Sequence, residues 1–547
     1  MSRYPAFSYV NNPEFKRLIE GIIDADCITL LCGAGVAIDA GLPSWEMLIE
    51  SIAERDPKPK KWTKLLLKDS TDLARKAGIL LRSLGKDGSI IPDYGIVSAS
   101  LYENYEGNQR PRLATEIARL AIATPKRLAI MTTNYDSVIE DALQFIGFRI
   151  VEPSALNKDL ENDEWWKAFE APDPKVFHVK HLHGYMGGED YLPPFILTED
   201  QYFEHGFKVR ENIVKAFSES TVVILVGVSL TDPSIIGALA ERKDNNNVFI
   251  LSVPEHNAVG SPADSIALHT AKEDYLKKLF KISVVRLNSY TEVAQLFQEL
   301  TAALSNPDMY SSDDAEQSIR YGFRFYRALN RAYEVLGIGD NSIPTSLEDQ
   351  EAQMKKASDK LHELIEPIRE SLLSLILAPA YDVPSEFQSV LDEKHQSLQR
   401  YVADEGFAIF LWLPSRISLD DRSDRKYALS LVGSSAYSHR HFWSFQRPPV
   451  TISGESDSSI ANAAFRGQAK IEPAVSEVGP AVWQTNAYIP LTLIDPISSL
   501  GIASGVAVIA SNRPHVKGEM SALTLIDGSL RVDFLQKAHD MIQSHLI

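Results

Sequence analysis

From residue 13 to about residue 305, short apolar runs alternate with amphipathic helical stretches, and this alternation restricts the chain more than any other feature of it. The runs lie at 28–32, 128–132, 177–182, 222–228, 247–253 and 283–287. They are apolar almost throughout, as strands covered on both faces must be. Between them, sets such as Phe15, Leu18, Ile19, Ile22 and Ile23, or Leu113, Ile117, Leu120 and Ala121, carry helical spacing. Strands joined by crossover helices predict an α/β fold, a doubly wound parallel sheet with helices on both faces. The interval 50–112 reads as a helical insertion with a loop at Gly85-Lys86-Asp87-Gly88.

Beyond this region the pattern changes twice. The stretch 303–314, LSNPDMYSSDDA, is polar and helix-capping and reads as a linker. Long helices are expected at 312–336 and 347–377, and the second has too poor a heptad to choose between a hairpin, a coiled-coil contact and a stalk. After Pro379 come strands at 407–414, 427–433, 467–472, 486–493 and 504–511, then a final helix over 519–544 whose apolar stripe can cover a sheet face. For a chain of 547 residues, three units are therefore expected: 1–305, a helical linker 306–384, and an α+β unit 385–547.

Composition excludes several classes. The formal net charge of −18 and the lack of any long basic run argue against a free polyanion as a direct partner. Two cysteines, Cys27 and Cys32, rule out a disulfide framework and a four-cysteine zinc site, so no metal is expected. The first residues lack a signal-peptide profile, and no stretch approaches a membrane span, so a cytoplasmic location is expected.

The chemistry-bearing residues gather where the apolar runs end. The first run leads into Gly33-Ala34-Gly35, a turn in which glycines permit close approach of a ligand and a following helix would offer its N-terminus to a phosphate. No third glycine in register and no P-loop lysine follow, so a plain strand–helix turn would look the same. The second run ends in Thr132-Thr133-Asn134-Tyr135-Asp136. Asn134 can donate to and accept from ribose hydroxyls or a water, while Asp136 can orient a neighbour or cap the next helix. The third ends in His181-Leu182-His183-Gly184, and an imidazole titrating near neutrality suits general-base work. Both histidines share strand parity, so spacing leaves the choice between them open. The fourth runs into Gly227, Ser229, Asp232 and Pro233. In an open α/β sheet these ends form one crevice.

GAGVAIDAGLPSW, TTNYD, HLHG and GVSLTDP, in that order, resemble the NAD-binding signatures of the sirtuin-like (SIR2) superfamily, over about residues 13–300. The resemblance implies a Rossmann-type NAD site. In it Gly33, Ala34 and Gly35 meet the pyrophosphate, Asn134 and Asp136 lie near the nicotinamide ribose, His183 is the catalytic base, and Gly227 and Ser229 lie toward the adenosine. Protein-deacylating sirtuins carry a zinc ribbon and an arginine after the aromatic of the first motif, whereas this chain reads Pro43-Ser44-Trp45-Glu46. It is therefore closer to the bacterial SIR2-like effectors of anti-phage defence that deplete cellular NAD.

The C-terminal stretches GESDSSIANAAFRGQAKI, NAYIPLTLI and SGVAVIASNRP resemble a GAF-like sensory domain. Candidate pocket aromatics and histidine are Trp412, His441, Trp443, Phe445 and Trp483, positions that are more often core. The resulting expectation is an NAD hydrolase with NAD as substrate. Its C-terminal unit would receive an activating small molecule or partner protein, and a homo-oligomer or hetero-complex is expected. Two other readings stay open: a non-catalytic sensor of NAD or an ADP-ribose derivative, and a zinc-free NAD-dependent deacylase.

Overall fold

A computed structural model describes residues 9, 12–55, 62–69, 72–84, 94–103, 105, 111–124, 127–151, 176–187, 190–192, 195–242, 247–253, 262–287, 289–305, 307, 310, 327–329, 331–337, 347–378, 385–393, 397–414, 428–436, 450–451, 458–474, 483–494, 501–513, 520–526 and 528–546. Six parallel strands, β1 (Cys27–Cys32), β2 (Arg127–Thr132), β3 (Val179–His181), β4 (Val222–Val226), β5 (Asn247–Ser252) and β6 (Ser283–Arg286), form one sheet in the order β6-β5-β4-β1-β2-β3. This is the Rossmann arrangement, in which the direction of winding reverses between β1 and β4. Cys27 to Cys32 pair with Arg127 to Thr132 on one side, and Ile28 to Cys32 with Val222 to Val226 on the other.

All six residues of β1 are buried, and successive side chains enter different cores. Ile28, Leu30 and Cys32 join the larger core, while Leu31 joins a second core with Val223, Leu225, Ile213 and Phe217. The expected continuous apolar runs therefore arise because both sheet faces are covered.

The helices around this sheet are α1 (Pro13–Asp24), α2 (Trp45–Glu54), α3 (Thr63–Lys68), α4 (Leu73–Leu84), α5 (Tyr94–Leu101), α6 (Arg112–Ala123), α7 (Val138–Phe145), α8 (Glu199–Glu219), α9 (Pro233–Glu241), α10 (Pro262–Phe280) and α11 (Tyr290–Ser305). The interval 50–112 is helical where described, and the loop at 85–88 lies outside the described residues. The expected third strand, 177–182, is split. Val176 and Phe177 pair with Arg149 and Ile150 in a separate ribbon, and only Val179–His181 joins the main sheet.

Past residue 346 come α12 (Leu347–His362), α13 (Ile365–Ile376), α14 (Ser385–Glu393) and α15 (Leu398–Ala403). The single helix expected at 347–377 is two helices, because Leu361 and Leu364 are both buried and a turn between them lets each half present its own apolar side. Most of the helix expected at 312–336 lies outside the described residues, although Leu329, Tyr333 and Leu336 are buried.

A second sheet contains β7 (Phe407–Pro414), β8 (Ala428–Ser434), β9 (Val450–Thr451), β10 (Lys470–Pro473), β11 (Thr485–Ile494) and β12 (Gly501–Ser511), all antiparallel, in the order β9-β8-β7-β12-β11-β10. Helix α16 (Ser459–Arg466) packs on one face beside Trp412, Tyr488, Val506 and Val508. Trp412 is thus core, and Trp483 packs edge-on to Phe410 at 6.1 Å, whereas His441, Trp443 and Phe445 lie outside the described residues. Arg466 and Gly467 end a helix, so the strand expected at 467–472 starts later, at Lys470. The final helix begins at Gly528 as α18 (Gly528–Leu546), after the short α17 (Ala522–Leu525) capped by Ser521. The larger core is continuous from β1 to β12, and α11 supplies buried residues throughout its length, among them Leu296, Phe297 and Leu300. Among the described residues no helix is long and apolar enough to cross a membrane.

Candidate active site

The glycine turn departs from the strand–loop–helix reading. Residues 34–36 and 38–40 are single 3-10 turns, and the next α-helix, α2, starts only at Trp45, capped by Ser44. Gly41 at φ +84° breaks the path, since a left-handed residue cannot continue a helix. Two of the turn's donors are taken by protein: Gly33 N–H donates to Val226 O and Gly35 N–H to Gly227 O, both at 3.0 Å.

Packing explains the glycines. A Cβ on Gly33 would stand 2.5 Å from Gly227 O, one on Gly35 2.6 Å from Gly227 Cα, and one on Gly227 2.7 Å from Gly35 Cα. Gly227 also sits at φ +63°. The ends of β1 and β4 therefore interlock backbone to backbone at the point where the sheet's winding reverses. Ala34 and Gly35 remain partly exposed, and Ser229 lies on the exposed rim, its Oγ 2.8 Å from Thr231 Oγ1.

The end of β2 is organised around a buried polar group. Thr132 Oγ1 accepts from Asn134 N–H at 3.0 Å, and Asn134 O accepts from His181 Nδ1 at 2.9 Å. The other ring nitrogen, Nε2, lies 2.6 Å from Glu140 Oε1 on α7. Burial opposes a charge on this imidazole, but the Glu140 carboxylate outweighs it and raises the His181 pKa. Both His181 nitrogens are thus occupied by protein. Asp136 caps α7, accepting from Val138 N–H at 3.1 Å, and burial pushes its carboxyl up to about 6. Asn134 is 7% exposed, and its Nδ2 is buried with no acceptor among the described residues. Leaving such a donor unmet costs roughly 1–3 kcal/mol, so the position calls for an acceptor.

His183 has different surroundings. Its Nε2 lies 3.1 Å from Asp232 Oδ2, and its ring meets Tyr202 edge-on at 5.6 Å. Asp232 caps α9, accepting from Ser234 N–H at 2.7 Å, and also accepts from Tyr202 O–H at 3.3 Å. Burial would raise the Asp232 pKa, but the adjacent His183 imidazole and the capped amides hold it below the usual carboxylate value; the His183 Nε2 contact meets the distance of an ion pair without the angle of a hydrogen bond. Trp45 of the first motif lies 6.4 Å from Tyr202, with Nε1 buried and unpartnered among the described residues.

The fold thus brings Asn134, Asp136 and His181 together through Glu140, sets His183 against Asp232 and Tyr202, and locks Gly33, Gly35 and Gly227 into one clasp. Glu140 and Tyr202 were not among the expected site residues, and Asp232 was expected as part of the crevice wall but not as the partner of His183. Asp232-Pro233 reads as a helix start, and nothing local marks Glu140 or Tyr202, whose partners are distant in sequence. Among the described residues no group of three histidine, cysteine or acidic side chains is placed to hold a metal ion.

Residues 128–284 match the family model of the SIR2-like domain. The chain is 24% identical over 301 residues to the NAD(+) hydrolase ThsA of Bacillus cereus (strain MSX-D12); the match covers 52% of this chain and 56% of that relative, so it spans little more than half of its length. Similar solved structures include a Sir2 homologue–NAD complex, at 14% identity and TM-score 0.28 over 53% of this chain and 95% of that one. Another is a Sir2–p53 peptide–NAD+ complex, at 10% identity and TM-score 0.26 over 54% and 99%. With four motif-bearing strand ends on a Rossmann-ordered sheet and the family match spanning β2 to β6, the chain carries a SIR2-like domain.

Proposed function

We propose that the chain is an NAD+ hydrolase that cleaves the nicotinamide–ribose bond, releasing nicotinamide and ADP-ribose. One observation carries this reading: at the carboxyl edge of a SIR2-like domain, His183 stands 3.1 Å from a buried carboxylate, while the Asn134 amide at the end of the neighbouring strand is buried and has no acceptor among the described residues. The similarity to an NAD(+) hydrolase supports it.

The glycosidic bond of NAD+ already carries a cationic leaving group, so the enzyme has to orient the ribose, stabilise an oxocarbenium-like state and deliver water. The C1′–N bond breaks with its electron pair going to the nicotinamide ring, which becomes neutral. Water forms the new C1′–O bond, and its proton passes to His183 and then to solvent. Asn134 Nδ2 donates to a ribose hydroxyl or to that water. Asp232, whose Oδ2 lies 3.1 Å from His183 Nε2, orients the imidazole. The clasp formed by Gly33, Gly35 and Gly227, with Ala34, borders the pyrophosphate, and Ser229 the adenosine side. Asp136, in this reading, holds α7 and the Asn134 loop in place and lies beside the ribose.

The units 1–305, 306–384 and 385–547 are proposed as catalytic domain, helical linker and sensory domain. A six-stranded antiparallel sheet flanked by helices is compatible with a GAF-like unit that takes a small molecule or partner protein as activator. Depletion of NAD in anti-phage defence, in the cytoplasm and in an oligomeric assembly, is the corresponding biological role. A pure NAD or ADP-ribose sensor would have no use for a His–Asp pair at the ribose, and a deacylase would need a peptide cleft.

The test is to incubate the purified chain with NAD+, alone and with extract of phage-infected cells, and to measure nicotinamide and ADP-ribose. Asn134→Ala and His183→Ala are each expected to lower the rate by roughly a hundredfold or more. A wild type that never releases nicotinamide under these conditions overturns the enzyme reading; two fully active variants overturn the site.

A further inference from the structure

The segment that runs from Asn134 into the first turn of α7 is held at both ends by one side chain. Thr132, the last residue of β2, pairs in register with His181, the last residue of β3, so the imidazole stands beside the loop that follows Thr132. Its Nδ1 meets Asn134 O at 2.9 Å, and its Nε2 meets Glu140 Oε1 at 2.6 Å. His181 and Glu140 are each 4% exposed. Residues 134–140 are thus closed across a single buried ring.

The protons of that ring give Glu140 a task of its own. A carbonyl oxygen only accepts, so Nδ1 must carry a proton for the bond to Asn134 to exist. A neutral imidazole carries its one proton on either nitrogen, and the Nε2 tautomer would turn a lone pair toward Asn134 O. The Glu140 carboxylate removes this freedom. It accepts at Nε2, so the ring that satisfies both neighbours donates from both nitrogens. The charge of Glu140 also raises the His181 pKa against the opposing effect of burial.

Backbone contacts complete the frame. Asn134 N–H donates to Thr132 Oγ1 at 3.0 Å, so with its carbonyl held by His181 the residue is fixed on both sides of its Cα. The side chain is the part left for a ligand, and its Nδ2 is buried with no acceptor among the described residues. Tyr135 ties the same loop to His183: its Oη donates to Ile196 O at 2.6 Å, and Ile196 N–H donates to His183 O at 3.0 Å. Slack at Asn134 O therefore changes the aim of Asn134 Nδ2 and leaves the partners of His183 in place.

We propose that Glu140 is a positioning residue for the hydrolysis: by fixing a proton on His181 Nδ1 it clamps the Asn134 carbonyl and keeps the Asn134 amide aimed at the ribose and the attacking water. The proposal rests on the NAD reading above and deepens it. Glu140 acts through His181 and Asn134 and not on the substrate. Glutamine can do the same work, because its amide N–H donates to Nε2 of a neutral ring and so leaves the ring's proton on Nδ1. That exchange removes one charge of each sign from the pocket.

The test is steady-state NAD+ hydrolysis by the full chain, under the conditions given above, for wild type, Glu140→Gln, Glu140→Ala, Asn134→Ala and the Glu140→Ala/Asn134→Ala double variant. Glu140→Ala is expected to lower kcat about tenfold to a hundredfold while KM changes less than about threefold, since the pyrophosphate and adenosine contacts are untouched. Glu140→Gln is expected to keep more than about a tenth of the wild-type kcat and to exceed Glu140→Ala. Once residue 134 is alanine the clamp has no amide to aim, so the double variant is expected to be no slower than Asn134→Ala alone. An ion pair that only holds the fold would lower the melting temperature and leave kcat of the folded enzyme at the wild-type value. That result overturns the proposal, as do losses that multiply in the double variant and a Glu140→Gln enzyme no faster than Glu140→Ala. All three leave the NAD reading standing, whereas a wild type that never releases nicotinamide overturns both. If Glu140→Ala does not fold, Glu140→Leu, which fills the space without a polar atom, is read by the same criteria.

Discussion

Two histidines two residues apart, His181 ending β3 and His183 just beyond it, carry the same local sequence signal, and their partners distinguish them. His181 is held at both nitrogens, by Asn134 O and Glu140, while His183 faces Asp232 and the ring of Tyr202. Neither set of partners is near in sequence, so strand parity could not divide the roles. Asp136 offers a test at this scale. Its carboxyl, raised by burial to about 6 from an ordinary value of 3.8, faces Glu140 and His181. A raised folded pKa means stability that is fully present below about pH 4 and lost as the pH climbs through about 6. Asp136→Asn, which keeps the cap on Val138, should flatten that slope and leave the variant more stable than wild type at pH 7, by up to about 3 kcal/mol. Urea denaturation of both proteins from pH 4 to 7 measures it.

Among the elements, the strands were legible because burial on both faces leaves a nearly unbroken apolar run, as in Ile28 to Cys32 or Val222 to Val226. The segment after Gly35 was not. Its apolar spacing from 36 to 49 looks helical, yet Gly41 in the left-handed region and Pro43 delay the helix to Trp45. In the sequence the glycines themselves signal room for a ligand, whereas the structure uses them first for contact between β1 and β4, a pairing between residues nearly two hundred apart. Gly227→Ala tests that contact. It places a Cβ 2.7 Å from Gly35 Cα and forces alanine into a left-handed conformation, so it should cost more than about 2 kcal/mol and lower the melting temperature. A melting temperature equal to wild type would show that the clasp is slack.

At the scale of the whole molecule, the composition shift near residue 305 reads as a boundary, yet the apolar core passes through it. Helix α11 is buried along nearly its whole length because α6 and the second sheet cover it from different sides. A helix hydrophobic on one stripe would belong to one unit; this one is also buried at Glu292, Gln295 and Glu299, polar positions that hide its second contact from a reading of periodicity. Phe297→Ala should therefore lower stability by about 3–5 kcal/mol and shift the unfolding of both sheets together. Calorimetry checks it: a wild type that melts in two steps, with only the first moved by the variant, would separate the halves.

The interlocked turn at residues 33, 35 and 227 also governs how this sequence can drift over time. A side chain at any one of the three meets the backbone of another, so no single replacement opens space for a second. The three positions therefore change together or not at all, and a new ligand preference is reached through the exposed rim at Ser229 rather than through this floor.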